Sequence, residues 1–163
     1  MLPARAETAG IIRAWPAVGA WKTLLTSLPD GRASCSLTTR RPPWGPAEVT
    51  LAFTLTATGA TLQLAHEGPR LPAAPRLRLL ADGQELLVLP VLSQDATAQG
   101  HWLLTAALPG GSLVAAVLPG LAFGPELEVE IGSHRIAVPT PDAGLVMAQL
   151  QECAAAGNRI QGG

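Results

Sequence analysis

Two cysteines are the residues of this chain with the most distinctive side-chain chemistry. Cys35 lies in the segment RASCSL and Cys153 lies near the C-terminus, so they do not form the closely spaced CxxC pair of a redox motif. They could form a disulfide, remain as two buried thiols, or serve as reactive sites. We predict the disulfide, because Cys35 falls on the inward face of a predicted strand and Cys153 on the buried stripe of a predicted helix.

The other candidates for acid–base, nucleophilic or metal chemistry are isolated in the sequence. No histidine has a second metal ligand two or four positions further on, and all of them fall at predicted strand ends or turns: His66, His101 and His134. Ser112 follows two glycines but lacks the G-x-S-x-G pattern of a nucleophile elbow, so a helix cap or a turn explains it. We therefore predict no catalytic, cofactor-binding or metal-binding residue and no enzyme activity.

Three glutamates lie on one face of the segment ELEVEI, at Glu126, Glu128 and Glu130. Such a row could bind calcium loosely, but we expect a solvated face that discourages pairing with another strand. The outward residues Arg76 and Arg78 would form ion pairs with this row if their strands were neighbours.

A proline-rich loop, RRPPWGPA, carries the candidate partner-binding residues Arg40, Arg41 and Trp44. Exposed tryptophan and arginine are typical anchors for a partner protein. The alternative is that Trp44 packs as a lid over the edge of the sheets.

The clearest helix signal follows the last predicted strand. Thr140 is a suitable N-cap, and Pro141 suits the first helical position because its missing N–H needs no partner there. Gly157 is a natural stop. An apolar stripe recurs at spacings of three and four: Ala143, Val146, Leu150 and Cys153. These signals predict a helix over residues 141–156.

The chain before this helix reads as short strands separated by Pro, Gly and Asp turns. Val49–Thr56 is the best of them because its apolar residues alternate with small or polar ones, whereas Ser93–Gly100 is expected to be a polar loop. We predict a mainly-β single domain, an antiparallel β-sandwich or partly open barrel of short hairpins with a C-terminal helix. In this scheme residues 1–20 are an irregular lead-in, residues 21–157 form the domain and residues 158–163 are a flexible tail.

Composition excludes some classes of partner. The chain has 163 residues, a net charge of −1, 48% hydrophobic and 14% charged residues. This balance gives no electrostatic case for nucleic acid. The most apolar stretch, Leu103–Phe123, is interrupted by prolines and glycines, so we expect no membrane span and assign the apolar residues to a core.

The N-terminus bears on localisation. Ala-Arg-Ala-Glu at residues 4–7 resembles the end of a signal peptide, although no apolar region of sufficient length is present. We expect an exported protein, periplasmic or secreted, whose signal peptide is absent from this sequence. A cytoplasmic start is the alternative.

Several segments together carry a family resemblance. They are Trp21 in AWKTLLTSL, Cys35 in SCSLTT, and then SLVAAVLPG and ELEVEIGSHRIAVP before the terminal helix. In this layout the chain resembles the invasion-associated locus B-like family of bacterial exported proteins. The resemblance implies a small periplasmic β-sandwich protein without known enzymatic machinery.

The leading functional hypothesis is an exported, non-enzymatic structural or interaction module that binds another protein through loops or a sheet edge. The alternative is a β-sandwich or barrel that holds a small hydrophobic ligand between its sheets. An enzyme of unrecognised type is a third hypothesis. The sequence predicts no oligomeric state.

Overall fold

A computed structural model describes residues 10–40, 49–56, 59–66, 70, 76–97, 100–109, 111, 116–132 and 134–162. Ten strands and one long helix, here called α1, make up most of it. The strands are β1 (Gly10–Ala14), β2 (Trp21–Ser27), β3 (Ala33–Arg40), β4 (Val49–Thr56), β5 (Gly59–His66), β6 (Arg76–Ala81), β7 (Gln84–Ala96), β8 (Trp102–Leu108), β9 (Glu126–Ile131) and β10 (His134–Pro139). Helix α1 spans Ala143–Gly162.

The strands form one antiparallel sheet in the order β1-β2-β3-β4-β5-β8-β7-β6-β9-β10. The sheet does not close, because the described residues of β1 and β10 each pair with one strand only. The predicted mainly-β fold with a C-terminal helix is confirmed, and the arrangement is consistent with a β-sandwich or an open barrel.

Strand β7 joins the two halves of this sheet. Its residues up to Pro90 pair with β6, whereas those from Val91 onward pair with β8 after an irregularity in the register. The strand continues to Ala96, so the polar loop expected over Ser93–Gly100 begins later than predicted. The physical reason is backbone pairing with β8, which a polar sequence does not prevent.

Alternating apolar residues of both halves meet in a single core. Leu51 and Phe53 of β4 are fully buried, as the alternation in Val49–Thr56 predicts. Other fully buried members come from β5, β6 and β9: Leu62, Leu64, Leu77, Leu79, Leu127 and Val129.

The two chain ends differ from their sequence-based description. Residues 10–14, within the expected irregular lead-in, form β1 and pair with β2. At the other end α1 runs through Gly157 to Gly162, where a stop and a flexible tail were expected. Gly157 is buried against β2 and β3, and a Cβ at this position would lie 3.5 Å from Ala33 Cβ and Leu25 Cδ1. Packing on the sheet therefore overrides the stop signal.

The N-terminus of α1 also begins later than predicted. Asp142, not Thr140, caps it, because Leu145 N–H donates to Asp142 Oδ1 at 3.1 Å. Thr140 instead ends the strand region, where its Oγ1 donates to Gly124 O at 2.8 Å. The stripe is confirmed at Val146, Leu150 and Cys153, which are buried.

Candidate interaction surface at the β1 edge

Cys35 and Cys153 form the predicted disulfide. Their Cα atoms are 6.0 Å apart and the bond joins residues separated by 118 positions. Because Cys35 lies in β3 and Cys153 in α1, the bond fixes the helix to the sheet. Neither sulfur is a free thiol, so the alternatives of buried thiols and a reactive pair do not apply to this structure.

The predicted partner-binding loop lies outside the described residues. Arg40 ends β3 and its backbone pairs with Thr50, but its side chain is not described. Arg41 and Trp44 are both outside the described part of the chain. The role of Arg40, Arg41 and Trp44 therefore stays a prediction.

Two of the isolated histidines lie at strand ends, His66 at the end of β5 and His134 at the start of β10. His66 is buried, and its Nε2 lies 3.4 Å from Gln94 Oε1. Ser112 is outside the described residues. Across the described residues, no group of three or more His, Cys, Asp or Glu could hold a metal ion. Among the helical segments that the structure describes, none is long and apolar enough to cross a membrane.

The row of glutamates takes part in an ion-pair ladder on the outer face of β6, β7, β9 and β10. Arg78 contacts Glu85 at 2.8 Å and Glu130 at 2.7 Å, and Arg135 contacts Glu130 at 2.8 Å and Glu128 at 3.2 Å. The expected pairing of Arg78 with this row is confirmed, because β6 and β9 are neighbours. Hydrogen bonds from Arg135 and then Arg78 lower the pKa of Glu130.

A contrasting surface lies at the other end of the sheet, on β1. All five residues of this strand are exposed, and Ile11 is 65% and Ile12 47% exposed. One side of β1 pairs with β2, and no described residue pairs with its other side. The result is an apolar edge strand with unpaired backbone groups among the described residues.

The pairing of β1 with β2 is irregular at the two consecutive isoleucines. Ile11 pairs with Thr26 and Arg13 with Leu25, so Ile12 is an extra residue in the ladder. A bulge of this kind changes the direction of side chains and increases the local twist. It also removes the alternation by which a strand is recognised in a sequence, and two adjacent isoleucines are the only signal that remains.

Beside β1 the chain is fixed to α1 by an aromatic and two polar side chains. Arg13 stacks over the ring of Trp15, with its guanidinium carbon 4.3 Å from the ring centroid. Trp15 Nε1 donates to Glu152 Oε2 at 2.8 Å, and Gln149 Nε2 donates to Pro16 O at 2.9 Å. These contacts hold residues 13–16 against the N-terminal half of α1.

A groove of about 500 Å³ lies between this segment and α1, and we call it the α1 groove. Its lining is mainly apolar: Trp15, Pro16, Ala17, Val18, Leu145 and Ala148. Leu145 is 55% exposed and lies outside the buried stripe of α1. The groove opens next to β1, so the two form one continuous surface.

Comparisons with protein-family models, with curated proteins and with solved structures find no match for this chain.

Proposed function

We propose that this chain is an exported, non-enzymatic interaction module that binds another protein through the edge strand β1 and the adjoining groove. The disulfide supports export, because such bonds persist in the periplasm and outside the cell and are rare in reducing compartments. The localisation proposed is the periplasm or the extracellular medium.

The observation that carries the proposal is the exposed apolar strand β1. Natural proteins usually protect edge strands by keeping them short, by charges, prolines or β-bulges, or by a covering helix or loop, because an exposed edge pairs with other chains. Strand β1 is short and has a bulge at Ile12, but its apolar side chains are exposed. In β1 two isoleucines occupy this position, and the charged side chain of Arg13 is engaged by Trp15 and Glu152. Apolar surface of this kind on a folded domain is typical of an interaction site.

The loop that carries Arg40, Arg41 and Trp44 is proposed as a second contact. Replacement of these three residues by alanine tests it separately. If a partner captured by the wild-type chain binds the triple variant equally well, the loop has no part in the interaction.

Site-specific photo-crosslinking tests the main proposal. A benzophenone amino acid placed at position 11 should give a covalent adduct with a second polypeptide in the native host. The matched control is position 92, since Leu92 is 62% exposed but lies on β7. Equal adducts at both positions, or none at position 11, would contradict the assignment of β1.

A second candidate function is the binding of a small hydrophobic ligand in the α1 groove. The observation that favours it is the groove's volume of about 500 Å³, within the range of small-molecule sites. Native mass spectrometry of the chain purified from its host distinguishes the two. A bound lipid or other small molecule, lost in the Leu145→Glu variant, would favour this second function.

A further inference from the structure

We propose that the partner contributes an extended polypeptide segment, which pairs with β1 as an additional strand and places an apolar side chain in the α1 groove. This inference rests on the proposed function, since it specifies what kind of protein segment the surface binds.

The backbone of β1 supplies the first element of such a site. In an antiparallel sheet, alternate residues direct their N–H and C=O groups to opposite sides of the strand. Strand β1 has five residues, and one of its sides has no pairing strand among the described residues. Strand addition obtains affinity from main-chain hydrogen bonds and specificity from pockets for alternate side chains.

The register of β1 shows what each face would offer to an added strand. Residues directly opposite each other in an antiparallel pair lie on the same face. Arg13 is opposite the buried Leu25 and so lies on the α1 side, whereas Ile11 is opposite Thr26 and lies on the outer side. An added strand would contact Ile11 on its outer face and reach the groove on its α1 face.

The segment after β1 extends this edge alongside β2. Trp15 N–H donates to Thr23 O at 3.0 Å, and Val18 and Trp21 exchange backbone hydrogen bonds. The α1 groove lies along this stretch, so one side chain of a segment that continues past Arg13 would meet its apolar lining.

A second copy of this chain fits the surface less well than a regular extended segment. Self-pairing about a two-fold axis would place the irregularity at Ile12 of both copies within the same short ladder. Strand β1 and the lining of the α1 groove together comprise thirteen residues, whereas a stable interface between two folded chains takes about 20–30 residues from each partner, so the surface fits a short segment better than a second copy. A regular segment that pairs with β1 meets only the one irregularity at Ile12, and it can form main-chain hydrogen bonds with the rest of the strand.

The test uses the full oxidised chain and a fluorescein-labelled synthetic peptide of sequence KVTVTVTK. Fluorescence anisotropy should show saturable binding. Two further peptides carry N-methyl groups on all the valines or on all the threonines. Because only alternate N–H groups of an added strand face β1, we expect one N-methylated peptide to bind at least tenfold more weakly and the other within threefold of the parent.

If both N-methylated peptides bind as tightly as the parent, main-chain hydrogen bonds are not involved and strand addition is wrong. The side-chain contacts are tested with Ile11→Lys and Leu145→Glu, each of which should weaken binding of the parent peptide about tenfold or more. Leu92→Lys is the matched control and should change the affinity less than about twofold. Equal binding by Ile11→Lys, Leu145→Glu and Leu92→Lys would overturn the site.

Two measurements separate this inference from the proposed function and from self-association. A crosslinked polypeptide at position 11, together with absence of peptide binding, would leave the interaction function standing and overturn strand addition. Sedimentation equilibrium should show that the chain alone is monomeric. A dimer that Ile11→Lys dissociates would assign β1 to a second copy and overturn the inference.

Discussion

The two end strands of the sheet, β1 and β10, differ in the side chains exposed beside them. Beside β10, Arg135 bridges Glu128 and Glu130, so charged side chains cover the outer face of this end of the sheet. On β1, Ile11 and Ile12 are exposed. Charges near an edge discourage the addition of another strand, whereas an apolar edge favours it. Among the described residues, the two ends of the sheet therefore differ in the chemistry of their exposed side chains, and the proposed function uses this difference.

These ends are not remote from each other in space. Trp21, in the strand next to β1, donates its Nε1 hydrogen to Pro139 O of β10 at 2.7 Å. Helix α1 begins shortly after Pro139 and packs on β2 and β3. The position of α1 and β10 relative to β1 therefore depends on a small set of contacts, and each of these contacts can be removed in turn.

Removal of the disulfide should have the largest effect on this arrangement. The chain-entropy model for a separation of 118 residues gives a loss of about 4–5 kcal/mol in the free energy of unfolding. We expect this loss in the Cys35→Ala/Cys153→Ala double variant, measured by urea denaturation. The wild-type chain in excess dithiothreitol is the control and should behave as the double variant does. A loss below about 1 kcal/mol would show that α1 is held by packing alone.

Trp21→Phe should have the next largest effect, because it removes the hydrogen bond between the two ends of the sheet. Trp21 is buried and stacks on Phe53 with ring centroids 6.2 Å apart, so the phenylalanine ring retains part of the packing. Loss of the hydrogen bond to the part-buried carbonyl of Pro139, together with the space left by the smaller ring, should lower the free energy of unfolding by about 1–3 kcal/mol. Thermal and urea denaturation of the variant measure this change.

Trp15→Phe is the matched control for that experiment. It also removes an indole donor from a buried tryptophan, but the acceptor, Glu152, has a side chain that is 60% exposed and can bind water instead. The loss should therefore be smaller than in Trp21→Phe. Equal losses would mean that the effect comes from ring size and not from the bond to Pro139.

The sequence predicts strands with one buried face well and the exposed strand β1 poorly. Alternation in Val49–Thr56 and ELEVEI defines β4 and β9, because one face of each must be buried. The disulfide followed from the same reasoning, since both cysteines lie on inward faces. An edge strand with a bulge has no such constraint, so GIIRA gave no periodic signal for β1.

The sequence alone also misplaces both ends of α1, because contacts with the rest of the fold set them. The sequence offers suitable signals for the start of the helix at Thr140 and Pro141 and for its end at Gly157. Tertiary contacts decide which of these signals takes effect. Backbone pairing continues through Thr140, whose N–H donates to Pro125 O, and this moves the cap to Asp142. Contact with β2 and β3 keeps Gly157 inside the helix. The position of the α1 groove could not be derived without these contacts.

Gly157→Ala tests how α1 packs on β2 and β3, and we expect it to change the stability by a smaller amount. An added Cβ would lie 3.5 Å from its nearest neighbours, an ordinary contact distance, so the higher helix propensity of alanine should raise the free energy of unfolding by up to about 1 kcal/mol. Urea denaturation measures the change. Gly124→Ala is the control, because its Cβ would lie 2.8 Å from Asp82 Cβ and 3.4 Å from Asp82 Cα and should destabilise the fold. Destabilisation by Gly157→Ala would contradict the packing of α1 described above.

The smallest expected effect concerns the charged ladder beside β10. Hydrogen bonds from Arg135 and Arg78 hold the pKa of Glu130 below the ordinary value of 4.5. A carboxylate with a lowered folded-state pKa stabilises the fold above its unfolded pKa, and this contribution disappears as the pH falls through the folded pKa. Carboxyl-carbon NMR should give a titration midpoint for Glu130 below 4.5 in the wild-type chain and a higher one in Arg135→Ala.

Arg32→Ala is the control for this titration. It removes a side-chain hydrogen bond that helps to lower the pKa of Asp30 and should leave Glu130 unchanged. Because the ladder is solvent-exposed, Arg135→Ala should alter this midpoint with little change in the free energy of unfolding. That combination would mean that the charges beside β10 contribute little to folding and act mainly against the addition of another strand. If Arg135→Ala markedly destabilised the fold, the contrast between the two ends would reflect stability and not availability for binding.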